Sequence, residues 1–237
     1  MSARPARQPV SPAITRLASL ADLDPDAQAA LDLAMQWRRR TKIRRELIAE
    51  GEEVTVTHLI LSGWAARVRI LEDGRRQIIQ FLLPGDLIGH HGQDRPVASS
   101  AVVAFTELDS CTAPSAAVSP ALARAYAHSR ALEDAYLISQ VTRLGSLNAH
   151  ERIADFLLEL HERLELGGLA TKGRFSMPVT QEVIADALGL TSVHVNRTIQ
   201  DLRREGSVDW KGREVHLPEP EALRRRTGRS SIRVTAA

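Results

Sequence analysis

From about Lys42 to Ala117, glycine interrupts the chain at positions 51, 63, 74, 85 and 89 and leaves short runs of strand-forming residues between the breaks. Strands joined by turns every roughly 8–12 residues build a sandwich or a barrel, so this segment predicts a β unit. Its clearest hairpin is Glu72-Asp73-Gly74-Arg75, where Asp-Gly supplies the positive φ of a tight turn, with residues 66–71 and 77–82 as the arms. Leu83-Pro84-Gly85-Asp86 marks the next turn.

Strand signals stop after Pro120. Residues 121–147 are dominated by Ala, Leu, Glu, Arg and other good helix formers. Ala131, Ala135, Ile138, Thr142 and Gly145 form one stripe along this helix, and Leu137, Val141 and Leu144 form a larger one beside it. Two apolar faces need two partners: a helix wrapped by its own domain satisfies both, and the small-residue stripe equally suits close approach of a second copy. Asn148 followed by Glu151 reads as a capping box that opens a second amphipathic helix through Ile153, Phe156, Leu157, Leu160 and Leu164, ended by Gly167-Gly168. Upstream of the strands, Asp24-Pro25 caps a short helix carrying Ala27, Leu31, Ala34 and Met35 up to Trp37. The Pro-, Ser- and Arg-rich start predicts a flexible segment, residues 1–20.

With 237 residues the chain has room for two modest domains. Hydrophobic residues at 43% and charged residues at 25% are ordinary globular usage, which argues against disorder. The single cysteine, Cys111, excludes an internal disulfide, a Cys-ligated iron–sulfur cluster and any CxxC site, and makes the cytoplasm the expected compartment. No window approaches the roughly 20 apolar residues of a membrane span.

The most informative stretch runs over residues 180–202. Ile184 and Leu188 supply the inner face of a first helix, Ala185 is small where a second helix must pass, and Gly189 sits at a sharp turn. Leu190 and Val195 close the small core, and Thr191 caps the second helix. Ser192, Val193, His194, Asn196, Arg197 and Gln200 then project outward, and such a helix fits the major groove of B-DNA. Arg donates two hydrogen bonds to guanine, Asn pairs with adenine, and Val touches a thymine methyl. Thr180, Gln181 and Arg203 are expected on the phosphate backbone. Residues 207–210 and 214–217, joined by Lys211-Gly212-Arg213, read as a β-hairpin wing.

Charge agrees in sign. The whole chain holds 31 basic and 29 acidic residues, but residues 172–237 hold 12 and 8, a local +4 against −2 for the remainder. The Arg224-Arg225-Arg226 run reads either as part of that field or as a solvated basic tail, residues 220–237.

These residues resemble the Crp/Fnr family of bacterial transcription regulators. The resemblance covers roughly residues 30–217 and rests on Leu61-Ser-Gly-Trp-Ala65, Asp73-Gly-Arg-Arg-Gln77, Phe81-Leu-Leu-Pro-Gly-Asp86 and the segment from Thr180 to Arg197. It implies an α+β fold: a jelly-roll-like, cyclic-nucleotide-binding-type β-roll with flanking helices over residues 21–128, a dimerisation helix over 129–147, and a winged helix-turn-helix over 148–219. It also implies a homodimer on a partly palindromic duplex and contact with RNA polymerase. An effector pocket would gather Gly85, Asp86, Gly89, His90, Arg95, Ser99, Ser100 and Thr142. Cyclic-nucleotide binders of the family follow the glycine matching Gly89 with a glutamate, here His90, and then place an Arg-Ser or Arg-Ala pair, where this chain reads Asp94-Arg-Pro-Val-Ala-Ser-Ser100. These departures speak against cyclic AMP. In the recognition helix the family's arginine is kept as Arg197, whereas a common glutamate is replaced by Val193, so the operator should differ.

Other features read as structural. His90-His91 has no identifiable third metal ligand, and the His-Glu pairs at 150 and 161 lack the second histidine of a zinc-protease helix. Cys111 reads as a small buried hydrophobe. The basic cluster Arg38 to Arg40, Lys42 and Arg44-Arg45 reads as a solvated edge, with an acidic partner left open. No phosphate loop or nucleophile elbow is present, so no enzyme activity and no cofactor is expected. A competing reading remains: a β-roll ligand sensor or enzyme whose C-terminal domain contacts protein instead of DNA.

Overall fold

The computed structural model describes residues 11–89, 96–230, 232 and 234. Helices α1 (Pro12–Leu20) and α2 (Pro25–Gln36) lead into eight strands: β1 (Arg39–Thr41), β2 (Glu46–Ile48), β3 (His58–Ser62), β4 (Ala65–Ile70), β5 (Arg76–Leu82), β6 (Leu87–Ile88), β7 (Ala101–Ala104) and β8 (Leu108–Thr112). Then come α3 (Pro120–Ser146) and α4 (Ala149–Leu166), strands β9 (Ala170–Thr171) and β10 (Arg174–Ser176), and helices α5 (Gln181–Leu188) and α6 (Ser192–Arg204). Strands β11 (Asp209–Lys211) and β12 (Glu214–His216) and helix α7 (Pro220–Thr227) complete the chain.

The β unit is two antiparallel four-stranded sheets, ordered β1-β8-β3-β6 and β2-β7-β4-β5. Its strands are apolar on both sides because both faces of each sheet are covered. Ile48, Ile60, Ala65, Leu82, Val102 and Leu108 fill the space between the sheets. Leu59, Leu61 and Cys111 turn outward to meet α1, α2 and the start of α3, while Ala66, Val68, Ile78 and Phe81 turn outward to meet α4. The expected hairpin is the β4–β5 pair, with Gly74 at φ 83° in its turn and a bulge between Arg67 and Val68.

Helix starts follow local chemistry. The Asp24 side chain accepts from the Ala27 N–H at 2.8 Å, and Ser119 does the same for Leu122 at 3.0 Å. At α4 the capping box is complete: Asn148 Oδ1 accepts from the Glu151 N–H and Glu151 Oε2 accepts from the Asn148 N–H.

Two expectations at the chain ends are corrected. The composition predicts a flexible segment over residues 1–20, yet Pro12–Leu20 forms α1, which buries Ala13, Arg16 and Leu17. Ala13 and Leu17 are too little apolar signal to mark a helix in the sequence, and the distant partners of Arg16 leave no local trace. The 220–237 tail likewise begins with α7, whose Leu223 is buried and whose Arg224 pairs with Glu162.

What ties these parts together is a set of buried charges around α4. Arg16 contacts Asp86 at 2.9 Å and donates to the Gly85 carbonyl at 2.7 Å. Asp86 also meets Arg163 at 2.8 Å, Arg163 meets Glu159 at 3.5 Å, and Glu159 is shared with Arg143. Arg143 reaches Asp155 at 2.7 Å, and Asp155 in turn meets Arg229 at 2.9 Å. A buried charge stripped of its partner is expensive, so each member depends on the next. No helix among the described residues is long and apolar enough to cross a membrane.

Replacing Arg143, only 1% exposed, by alanine leaves Asp155 and Glu159 short of their shared cation. The expected loss is about 3–5 kcal/mol. Arg40→Ala, which breaks the exposed pair to Asp109, is expected to cost no more than about 1 kcal/mol. Urea titrations of both variants against the parent measure the contrast; equal midpoints for Arg143→Ala and parent would refute the dependence.

Candidate nucleic-acid interface

Helices α5 and α6 form the expected two-helix unit. Thr180 Oγ1 accepts from the Val183 N–H, Gly189 closes α5 at φ 62°, and Thr191 Oγ1 accepts from the His194 N–H. Beneath them Ile184, Leu188, Val195, Ile199 and Leu202 are between 0 and 3% exposed. Burying that stripe dictates what faces water: Ser192, Val193, His194, Asn196, Arg197 and Gln200 are all exposed, Val193 at 73%. The same stripe explains Thr198, buried at 8% on the inner side.

The outward face is organised by a contact that spacing alone does not show. Asn196 Nδ2 donates to Gln181 Oε1 at 3.0 Å, so the first residue of α5 fixes the amide of α6. Arg197, exposed one residue along the same face, makes no ion pair among the described residues. At the far end of α6, Arg203 donates to Gln200 at 3.3 Å and Arg204 pairs with Asp201.

Beside that end lies the wing. Strands β11 and β12 pair through a turn with Gly212 at φ 59°, and β10 and β9 extend them into a four-stranded sheet. An open groove of about 460 Å³ separates the wing from α6, with Arg203, Arg204 and Lys211 on its walls. Arg204 and Lys211 were absent from the expected contact set; their signal was basic residues flanking the turn glycines Gly206 and Gly212.

The unit is docked firmly on the β-roll. Arg76 of β5 donates through Nε to Asp186 of α5 at 2.8 Å, Gln77 donates to the Asp186 carbonyl at 3.0 Å, and Gln140 of α3 donates to the Ala187 carbonyl at 2.7 Å. A single apolar cluster runs from Trp64 and Phe81 of the roll through Phe156 of α4 to Ile184 and Leu202. Sequence reasoning missed Arg76 and Gln140, since nothing local distinguishes them from solvated surface.

The described residues expected around an effector do not line one common cavity. Gly85 and Asp86 are committed to Arg16 and Arg163, and a Cβ on Gly85 would come within 2.7 Å of the Arg16 side chain. Gly89 is packed with Val54, whose Cγ1 would lie 2.4 Å from an added Cβ. Ser99 and Ser100 line a separate cavity of about 240 Å³ against α3, and Thr142 lies on a different groove farther along that helix. His90, His91 and Arg95 lie outside the described residues. In the Ser99–Ser100 cavity Arg67 meets Glu133 at 2.6 Å and Arg130 meets Asp134 at 3.6 Å. A cyclic phosphate would have to displace a carboxylate from its arginine, so the described residues do not fit that ligand. Cys111, 2% exposed, is pushed up to about 11 by burial and is therefore a neutral thiol at physiological pH.

Comparison with known proteins agrees with this geometry. A family model described as a Crp-like helix-turn-helix domain matches residues 151–226, and one described as a cyclic nucleotide-binding domain matches residues 38–125. The first of these runs through most of α7, which places that helix with the winged unit. A nitrogen fixation regulation protein, FixK, of Bradyrhizobium diazoefficiens is 33% identical over 171 residues, covering 69% of this chain and 70% of that protein. The transcriptional activator protein FnrL of Cereibacter sphaeroides is 28% identical over 209 residues, covering 84% and 83%. The structure of FixK2 from Bradyrhizobium japonicum superposes with a TM-score of 0.68 at 28% identity, covering 79% of this chain and 95% of that one.

Two outcomes follow from the site. Gln181→Ala should free the Asn196 amide and blunt discrimination at one base pair, costing part of the about 1–3 kcal/mol that a good bidentate base contact supplies. Binding assays on single-base operator variants measure it, and unchanged discrimination would show that Gln181 does not hold the reading amide. Cys111 should stay silent toward a thiol reagent at pH 8, where a thiol with a pKa near 11 is only about one part in a thousand thiolate. Because the fold retains a proton that the unfolded chain releases, its stabilising contribution is complete below about pH 9 and is lost as pH rises toward 11. Cys111→Ala should flatten that alkaline loss in unfolding titrations.

Proposed function

This chain belongs to the Crp/Fnr family of bacterial transcription regulators and is a DNA-binding regulator, and on that premise we propose how it reads its operator. Family members bind DNA and act as dimers. Two copies of α6 enter successive major grooves with half-sites about 34 Å apart on a partly palindromic duplex. Arg197, Asn196, His194 and Ser192 read base edges, and Val193 meets a thymine methyl in place of a charged contact. Thr180 and Gln181 at the start of α5, Thr191 at the start of α6, and Gln200, Arg203, Arg204 and Lys211 along the wing groove hold the phosphates.

The observation that carries this reading is the exposure of Asn196 and Arg197 on a helix whose opposite face is locked by Val195, Ile199 and Leu202. Reading heads must be rigid to discriminate, and this one is held by the apolar cluster that also holds α4. The roll then serves as the sensing and coupling half, with an effector other than cyclic AMP, and the protein works in the cytoplasm in contact with RNA polymerase. It acts as a regulator and not as an enzyme, a reading supported by the FixK and FnrL relatives, a regulation protein and a transcriptional activator.

Selection of sites from random duplex is expected to return a two-fold symmetric sequence. Arg197→Ala should bind that sequence about 1–3 kcal/mol more weakly and tolerate substitution at one base pair of each half-site. Affinity should fall steeply with salt, with a logarithmic slope of about −0.9 per phosphate contacted. An Arg197→Ala footprint indistinguishable from the parent's would overturn the assignment of the reading helix.

A further inference from the structure

The C-terminal segment following α7 is anchored beside the exposed face of α3. Gly228 ends α7 at φ 65°, and Arg229, its side chain 3% exposed, then pairs with Asp155 and Glu162, each at 2.9 Å. This pinning carries Ser230 and Ile232 alongside α3, where they form one wall of a groove of about 460 Å³. The other wall is α3 itself, through Ala135, Ile138 and Thr142.

That face of α3 is unusually apolar for a surface. Ile138 is 69% exposed and Val141 73%, on a 27-residue helix whose other side is buried by the roll and α4. Nothing lies within 4 Å of a Cβ built on Gly145, so another backbone has room to approach closely there. The groove's two cations are already neutralised, Arg143 by Asp155 and Glu159, and Arg229 by Asp155 and Glu162. It therefore offers no uncompensated cation to an anionic ligand, and its rim of Ala135, Ile138, Ile232, Ser139 and Ser230 suits a helix with small and apolar side chains.

We infer that Gly228, Arg229, Ser230 and Ile232 are a built part of the dimer interface, clasping the α3 helix of a second copy in the groove between these residues and their own α3. The inference rests on the dimeric reading above and adds a contact to it. A two-fold interface brings the same patch of each copy together, so the exposed Ile138 and Val141 of one copy meet their equivalents along the seam. Helices in contact run about 8–10 Å apart, close enough for a segment flanking one helix to reach the side of the other. Through Arg229 the segment is tied to Asp155 and Glu162 of α4, so closing the seam engages the same buried charges that join α3 to α4.

Sedimentation equilibrium of the full chain tests this. Ile232→Asp should raise the dimer dissociation constant about tenfold or more. Ile138→Asp should do so at least as strongly, and Val97→Asp, an exposed apolar position on the roll, should leave it unchanged. A second measurement stands if a variant folds poorly: in a Cys111→Ala background, differently tagged chains carrying Ser230→Cys and Val141→Cys are mixed and oxidised, and a disulfide between the two tags is expected. Parent-like dimerisation of Ile232→Asp, or no mixed disulfide from chains that do dimerise, overturns the clasp and leaves the DNA-binding reading intact. A parent chain that is monomeric throughout overturns both the clasp and the dimeric reading.

Discussion

An unbroken chain of ion pairs crosses this molecule from Arg16 through Asp86, Arg163, Glu159, Arg143, Asp155, Arg229 and Glu162 to Arg224. Its members come from α1, the β5–β6 turn, α3, α4, α7 and the segment after it. Water cannot solvate most of these groups, so each needs its neighbour, and every element that carries one is held in register with the rest. Helix α4 is the hub. Asp155, Glu159, Glu162 and Arg163 line its charged side, while Phe156, Leu157, Leu160 and Leu164 line an apolar side that meets both the roll and the winged unit. Ring faces add to the hold, with Arg163 over Tyr136 at 4.8 Å and Arg143 over Phe156 at 5.6 Å.

For a regulator this arrangement has a mechanical consequence. The roll and the DNA reader share one apolar cluster and are joined again by Arg76 on Asp186 and by Gln140 on the Ala187 carbonyl. The β4–β5 hairpin and α3 therefore each contact α5 directly. The same packing sets Asn196 and Arg197 outward, so the exposed face of α6 depends on contacts made on its buried side.

Much of the fold was legible because it is encoded locally. The Asp73-Gly74 turn, the Asn148–Glu151 capping box, the Asp24 cap and the αL position of Gly189 each need only a few neighbouring residues, and all stand where the pattern put them. The outward face of α6 was legible for the same reason, since the 3.6-residue period of Val195, Ile199 and Leu202 leaves no alternative. The ends of the chain were not. Residues 12–20 and 220–229 hold their place through Arg16, Arg224 and Arg229, whose partners lie 70, 62 and 67 or more positions away in sequence. An arginine bound to a distant carboxylate looks, in sequence, like an arginine bound to water.

The sequence alone therefore determined the order of units, a β-roll, a long helix and a winged helix-turn-helix, and the side chains exposed on α6, because turns, caps and periodicity are short-range properties of the backbone. Tertiary structure decided everything that depends on pairing between distant charges. It filled the space at Gly85 and Asp86 with Arg16, set the described effector candidates on separate surfaces, turned the start of an expected tail into a helix, and placed Ser230 and Ile232 against α3. Electrostatic partners in a low-dielectric interior are selected by proximity in space, and proximity in space is not written in any local stretch of the chain.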